Sequence, residues 1–418
     1  MSSRTTSSRC SSPWAGEPAA LGRLIAASCA LWVASGCLEG SGRGVGDVGA
    51  TSAVDAGRGD DALDPRTGCP LNPAPGPDEG PRAYMTLASS DQVAVFDLSD
   101  PTSPRALRCA PIDPNPDWSD EPFDLAADPR GWVVTVPHGF GFLLGELWSF
   151  EPGAVDSPRT LELVGEPDHV ALSPDGDTVY VTALQNIERP LGPYTEPGQF
   201  MVVDRATWAV EAQYPLGLGA AGLDVAPDGS RVVITSAGTD ELYVYTPSSG
   251  DFRGVPVGPS PTSGSPTYQP FYVALADGGA LAWVSALKSD DARLIDLERG
   301  ELLAAVDLGE GAAPRDIVWL ERQGLVAVAA TGRDEVVLID AATRAVQARV
   351  PVGPPAVTGG APYGLAAVPG SSWLLVANSA NPDTAATLGA LVVIDVERGE
   401  VVTERPVGFG PRMIAVVP

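Results

Sequence analysis

The stretch that decides the fold is Pro167-Asp168-His169-Val170-Ala171-Leu172-Ser173-Pro174-Asp175-Gly176, continued by Thr178-Val179-Tyr180-Val181-Thr182, Met201-Val202-Val203-Asp204 and Ala212-Gln213-Tyr214-Pro215-Leu216-Gly217. It reads as four short apolar strands separated by turns. Pro-Asp-Gly makes a tight turn because proline presets φ and glycine supplies the positive φ that closes a hairpin. The turn returns as Pro227-Asp228-Gly229 and, degraded, as Asp128-Pro129-Arg130-Gly131, Asp277-Gly278-Gly279 and Pro369-Gly370. The third strand ends on an acid at six places, Asp97, Glu151, Asp204, Asp296, Asp340 and Asp395. An acid there caps the next turn by accepting backbone N–H groups.

Anchored on its first position, the phrase recurs at Pro122, Pro167, Ala220, Pro270, Pro314, Pro362 and Pro411, in steps of 45, 53, 50, 44, 48 and 49 residues. A four-stranded propeller blade needs about this length. The last phrase, Pro411-Arg412-Met413-Ile414-Ala415-Val416-Val417-Pro418, stops after one strand. The first ordered segment, beginning Ala83-Tyr84-Met85-Thr86-Leu87, lacks that same strand. Joined, the two make one whole blade and leave no sheet edge open. The expectation is an all-β, seven-bladed β-propeller over residues 83–418, its C-terminal strand completing the N-terminal blade.

The phrase resembles the YVTN-type β-propeller repeat, Pro-x-x-Val-Ala-x-Ser-Pro-Asp-Gly, Tyr-Val-Thr-Asn, Val-Ile-Asp, Val-Pro-Val-Gly. The start of that phrase is matched best from Pro167. Its later clauses are matched by Val336-Val337-Leu338-Ile339-Asp340 with Val350-Pro351-Val352-Gly353, and by Leu391-Val392-Val393-Ile394-Asp395 with Pro406-Val407-Gly408. The resemblance covers nearly all of residues 83–418. It implies the propeller but no single function, since such relatives include surface proteins, lactonase-like enzymes and subunits of electron-transfer systems.

Composition agrees with a turn-rich body around an ordinary core: 47 glycines and 41 prolines among 418 residues, with 44% hydrophobic. The net charge of -27 repels nucleic acid phosphates and anionic lipid headgroups, so neither is expected as a partner. Before the body, residues 1–36 carry arginines and a short apolar run, Leu24 to Val33. That is a signal-peptide pattern, too short for a membrane span. Ala34-Ser35-Gly36-Cys37 resembles the bacterial lipobox, which implies a diacylglycerol on Cys37 and membrane attachment through that lipid alone; ordinary secretion is the other reading. Residues 37–82 are Gly, Asp, Ala and Pro with few large apolar side chains, a linker that cannot bury enough surface to order itself. With Cys10 and Cys29 in the leader, Cys69 and Cys109 remain. They are expected either as one disulfide, as exported chains favour, or as two free thiols.

In a four-stranded blade the first-to-second and third-to-fourth turns share one rim, and the other connections share the opposite rim. The long connections, 112–121 and 258–269 between blades and 138–145, 184–199 and 379–388 within them, all belong to the second rim. Insertions gathered on one face mark a binding surface in repeat proteins. There the two residues after each anchor are expected to ring the channel mouth. The candidate ligand-binding residues are therefore Phe123, Asp124, Asp168, His169, Phe271, Tyr272, Arg315, Asp316, Tyr363 and Arg412. Aromatics, arginines and acids in one ring suit a small polar ligand or a peptide.

Two functional readings follow. In the first, an exported, envelope-tethered module binds a protein, peptide or glycan and needs no cofactor. In the second, an exported hydrolase acts on lactones. Only two histidines, His138 and His169, are present and no Cys-x-x-Cys-His occurs, which excludes multi-histidine metal sites and covalent haem. A calcium-dependent lactonase, as in the gluconolactonase-like propellers, needs carboxylates and amides from several blades. Asp124, Asp316 and Asn378 are the candidates, while Gly222 and Gly364 at matching positions contribute no ligand. The acidic runs Asp117–Asp124 and Asp290-Asp291 offer calcium a structural alternative. No catalytic residue is assigned. Metabolic labelling with a palmitate analogue is expected to mark the wild-type chain and not Cys37→Ala; equal label in both would end the lipid-anchor reading.

Overall fold

A computed structural model describes residues 63–64, 69–73, 80–113, 120–137, 144–184, 197–259, 267–353, 361–379 and 388–418. Of the chain's two units, 1–49 and 50–418, only the second contains described residues. The signal-peptide segment, Cys37, most of the 37–82 linker and His138 lie outside them, as do the middles of all five long connections.

The alternating apolar runs fold into seven four-stranded antiparallel sheets. Blade 1 comprises Leu125–Asp128, Gly131–Val136, Leu144–Phe150 and Arg159–Val164, and blade 2 comprises Glu166–Leu172, Thr178–Leu184, Pro197–Asp204 and Ala209–Leu218. Blades 3, 4, 5 and 6 begin with innermost strands Ala220–Val225, Pro270–Ala276, Pro314–Leu320 and Pro362–Ala367. Blade 7 joins the first and last strands of the propeller. Its innermost strand Pro411–Val417 pairs with Arg82–Leu87 in the register Ala83↔Val416 and Met85↔Ile414, and Gln92–Asp97 and Arg105–Pro111 complete it. Each innermost strand packs against those of the two flanking blades, so blade 7 closes the ring onto blade 1. Middle strands such as Leu325–Ala330 are buried on both faces, and outer strands such as Ala345–Pro351 alternate between exposed and covered.

The turns behave as their composition dictates. Gly176 and Gly229 both have φ 70°. Asp204 and Asp340 each accept from a threonine two bonds, one from the amide and one from the hydroxyl, of Thr207 and of Thr343. Asp97 does the same with Ser99. These bonds hold all three carboxyls below the usual aspartate range.

Blade meets blade through a less obvious device. In blades 2 to 7 the ladder between first and second strands skips two residues: Pro167 pairs with Ala183 and Val170 with Val181, leaving Asp168 and His169 opposite Thr182. This is a β-bulge, and it turns two consecutive side chains out of the ladder. The residue opposite the bulge satisfies the freed backbone. The Thr182 hydroxyl accepts from the His169 amide (3.3 Å) and donates to the Ala221 carbonyl of blade 3 (2.8 Å). Thr135 likewise accepts from the Asp124 amide and donates to the Asp168 carbonyl, at 3.0 Å each. Thr86 accepts from Met413 and donates to Phe123 (3.0 and 2.9 Å), while Thr235 donates to Phe271 (2.8 Å). Ser285 accepts from Tyr272. All five hydroxyl residues are fully buried; Ala329 and Ala377 hold the place in blades 5 and 6.

A carboxylate reinforces alternate seams. Asp124 accepts the amides of Leu125 (2.7 Å) and of Val170 in blade 2 (3.0 Å). Asp224 accepts those of Val225 and of Leu275 in blade 4, both at 2.8 Å. Asp316 accepts those of Ile317 (2.8 Å) and of Leu365 in blade 6 (2.7 Å). Burial outweighs the amide bonds and pushes Asp224 up to about 6 and Asp316 up to about 7. At the edge of blade 7, Cys69 and Cys109 form a disulfide with Cα atoms 5.9 Å apart. Cys69 is buried among Met85, Phe96 and Ile414, so this short piece of the linker is part of the body.

Removing a buried hydroxyl that serves two backbone groups costs about 2 kcal/mol. Thr182→Val is expected to lower the urea unfolding free energy by that amount and Thr182→Ser by clearly less; equal losses would show that packing, not the hydroxyl, matters. Asp224 and Asp316 also set a pH dependence. With folded pKa values above the unfolded value of about 3.9, they contribute full stability only below about pH 4, and the contribution is lost as pH rises through about 6 to 7. The unfolding midpoint is expected to decline across that window and Asp316→Asn to decline less steeply. An identical slope in the variant would refute the assignment.

Candidate functional site

The bulge explains why the residues after each anchor gather at the mouth, but they do not stand apart as a hydrated ring. They meet inside the channel. Phe123 of blade 1 packs edge-on against His169 of blade 2 (5.3 Å between centroids) and against Tyr363 of blade 6 (6.1 Å). His169 meets Tyr272 of blade 4 at 4.6 Å. The Tyr272 hydroxyl reaches across to Met413 Sδ of blade 7 at 3.4 Å. Arg315 of blade 5 lays its guanidinium over Phe271 (4.7 Å) and Tyr363 (5.3 Å), and Arg412 of blade 7 lies over Tyr363 (4.8 Å). Blade 3 supplies only Ala221 and Gly222. A Cβ on Gly222 would stand 2.7 Å from the Phe271 carbonyl oxygen and 2.9 Å from Tyr272 Cα, and one on Gly364 2.4 Å from the Arg412 carbonyl oxygen. Glycine at these two places lets the next blade approach.

The charged residues divide by task. Asp124 and Asp316 spend both carboxylate oxygens on backbone amides. His169, 1% exposed, points Nδ1 at Asp124 Oδ2 (3.2 Å) and Nε2 at Asp168 Oδ2 (3.7 Å), where Nε2 finds no hydrogen-bond partner. Burial alone would lower this imidazole, but the carboxylates of Asp168, Asp124 and Asp316 outweigh it and hold it above its ordinary value. Burial likewise pushes the Asp168 carboxyl up and the Tyr272 phenol well up, keeping it neutral. Asn378 accepts the Ala361 amide through Oδ1 at 2.7 Å. In the acidic pair of blade 4, Asp290 caps the amides of Gly311 and Ala313, and Asp291 forms a two-pronged ion pair with Arg293.

Above the filled channel, on the rim of the long connections, a cleft of about 70 Å³ opens between blades 7, 1 and 2. Ala88 and Arg412 line it from blade 7, Glu121, Phe123 and Pro137 from blade 1, and Glu166, Pro167, Asp168 and Leu184 from blade 2. Of the ten residues singled out in the sequence, Phe123, Asp168 and Arg412 reach this cleft. The other seven belong to the aromatic filling beneath it or to the seams. Glu166, 3% exposed, was not legible because it precedes the anchor that the phrase defines. Asp224 escaped because it sits two residues beyond the bulge, past the pair that follows the anchor. A sixth connection on this rim, between Val352 and Ala361, was also missed.

No protein-family model matches the sequence, and no curated protein is similar to it. Solved structures are. A periplasmic gluconolactonase from Pseudomonas aeruginosa superposes with a TM-score of 0.59 at 18% identity, covering 81% of this chain and 99% of its own. A putative 6-phosphogluconolactonase from Bacteroides fragilis gives 0.58 at 12%, covering 82% and 99%. A functionally unknown protein from Desulfotomaculum acetoxidans gives 0.57 at 15%, covering 80% and 98%. At such identities the likeness is one of fold alone: the chain is a seven-bladed β-propeller of the kind on which lactonases, among other proteins, are built.

Proposed function

We propose that this protein is an exported, lipid-tethered binding module that engages an envelope protein, peptide or glycan through the rim carrying the cleft. The observation that carries the reading is the filled channel. Phe123, His169, Phe271, Tyr272, Tyr363 and Met413 occupy the axis where a propeller enzyme would place its substrate. Among the described residues the rim offers a small, partly apolar cleft with Asp168 and Arg412 in its lining. Such a surface suits anchoring of a partner's projecting group.

The lactone-hydrolysing alternative draws on the likeness to the Pseudomonas gluconolactonase. It asks for free carboxylates at the axis, whereas Asp124 and Asp316 are held by amides of two blades each. The two readings separate in one pair of measurements. The full chain is expected to capture a partner from envelope extract, Arg412→Ala to lose that partner, and a panel of lactones to show no turnover. Hydrolysis by the wild type, or equal capture by the variant, would overturn the binding reading.

A further inference from the structure

The cleft carries two groups of opposite sign, Arg412 and Asp168, that make no hydrogen bond with a described side chain. Acids outnumber bases 53 to 26, yet the Arg412 guanidinium makes no ion pair and no hydrogen bond with a described residue. Its only partner there is the Tyr363 ring, and its Nε is buried without an acceptor. On the opposite wall the Asp168 carboxylate accepts no hydrogen bond from a described residue. Its side chain is 23% exposed, and its one charged neighbour within ion-pair distance among the described residues is His169 Nε2 at 3.7 Å, too far for a hydrogen bond. Between them, in ring order, lies Phe123.

Desolvated charges are costly unless a ligand answers them. A neutral sugar would give neither group an ionic partner in the cleft, a plain carboxylate would confront Asp168, and a plain amine would confront Arg412. The room, about 70 Å³, is far below the roughly 300 Å³ at which pockets begin to enclose whole drug-sized ligands. It admits a head group of a few heavy atoms. We infer that the cleft binds an α-amino-acid head group, its carboxylate on Arg412 and its ammonium on Asp168, with the Cα side against Phe123. A planar guanidinium suits the carboxylate because it donates two parallel bonds. The head group belongs either to a free amino acid or to the zwitterionic end of a larger envelope molecule. This inference rests on the binding reading and names the ligand chemistry of that same rim.

Calorimetric titration of the full chain tests it with four probes: L-alanine, Nε-acetyl-L-lysine, acetate and methylammonium. Alanine and acetyl-lysine are expected to bind, with acetate and methylammonium at least about tenfold weaker. Tighter binding of acetyl-lysine than of alanine identifies a larger carrier, and equal binding identifies the free amino acid. Arg412→Gln and Asp168→Asn are each expected to weaken both ligands at least about tenfold, with Arg412→Lys intermediate and all melting curves unchanged. Arg412→Lys guards against a Gln variant that fails to fold. Acetate or methylammonium binding as tightly as alanine would overturn the inference, as would the absence of heat with all four probes. Partner capture from envelope extract would in that case leave the binding reading standing.

Discussion

In five of the seven blades one buried hydroxyl holds the ring together at the innermost strand. In blades 2 to 7 a bulge in the innermost strand frees backbone groups at a buried position, where they need partners within the protein. The threonine opposite accepts the amide of its own blade and donates to the next, so a local defect becomes a bond between blades. Thr86, Thr135 and Thr182 carry this from blade 7 through to blade 3. Asp124, Asp224 and Asp316 add a second bond across alternate seams. In blades 5 and 6, where alanine replaces the hydroxyl, Asp316 supplies the seam between them.

The same bulge creates the site. Without it, alternate residues of the innermost strand would point to opposite faces of the sheet. With it, two neighbouring side chains turn toward the axis and its mouth, and the choice of residue type decides what they do. Where they are aromatic, as at Phe271 and Tyr272, they fill the channel. Where they are charged and sit on the upper wall, as at Asp168 and Arg412, they border the cleft.

The electrostatics follow from this separation. Acids at strand ends are held as anions by turn amides at the surface, whereas Asp224 and Asp316 are raised by burial despite equally good amide bonds. Exposure, more than hydrogen-bond count, is what distinguishes the two groups. His169 is raised against the effect of its own burial because the carboxylates of Asp168, Asp124 and Asp316 act on it.

Much was legible in the chain itself. Period-two apolar runs, Pro-Asp-Gly turns and a step of 44 to 53 residues are local signals, and they determined the blade, the count of seven and the closure by the strand after Pro411. The turn-capping role of Asp97, Asp204 and Asp340 was legible for the same reason: a short side chain bonds to backbone two or three residues away. The threonine of Tyr180-Val181-Thr182 stands in the quoted phrase, but the carbonyl to which it donates, that of Ala221, lies in the next blade. Only the tertiary structure decided which of Asp124, Asp168 and Asp316 is bonded to backbone and which faces the cleft. It alone decided that Phe123, Tyr272, Tyr363 and Met413 close the channel, because those contacts join blades one to three places apart around the ring. Sequence encodes what neighbours along the chain do to each other, and the meeting of side chains across an axis depends on the radius and twist that seven packed sheets set together.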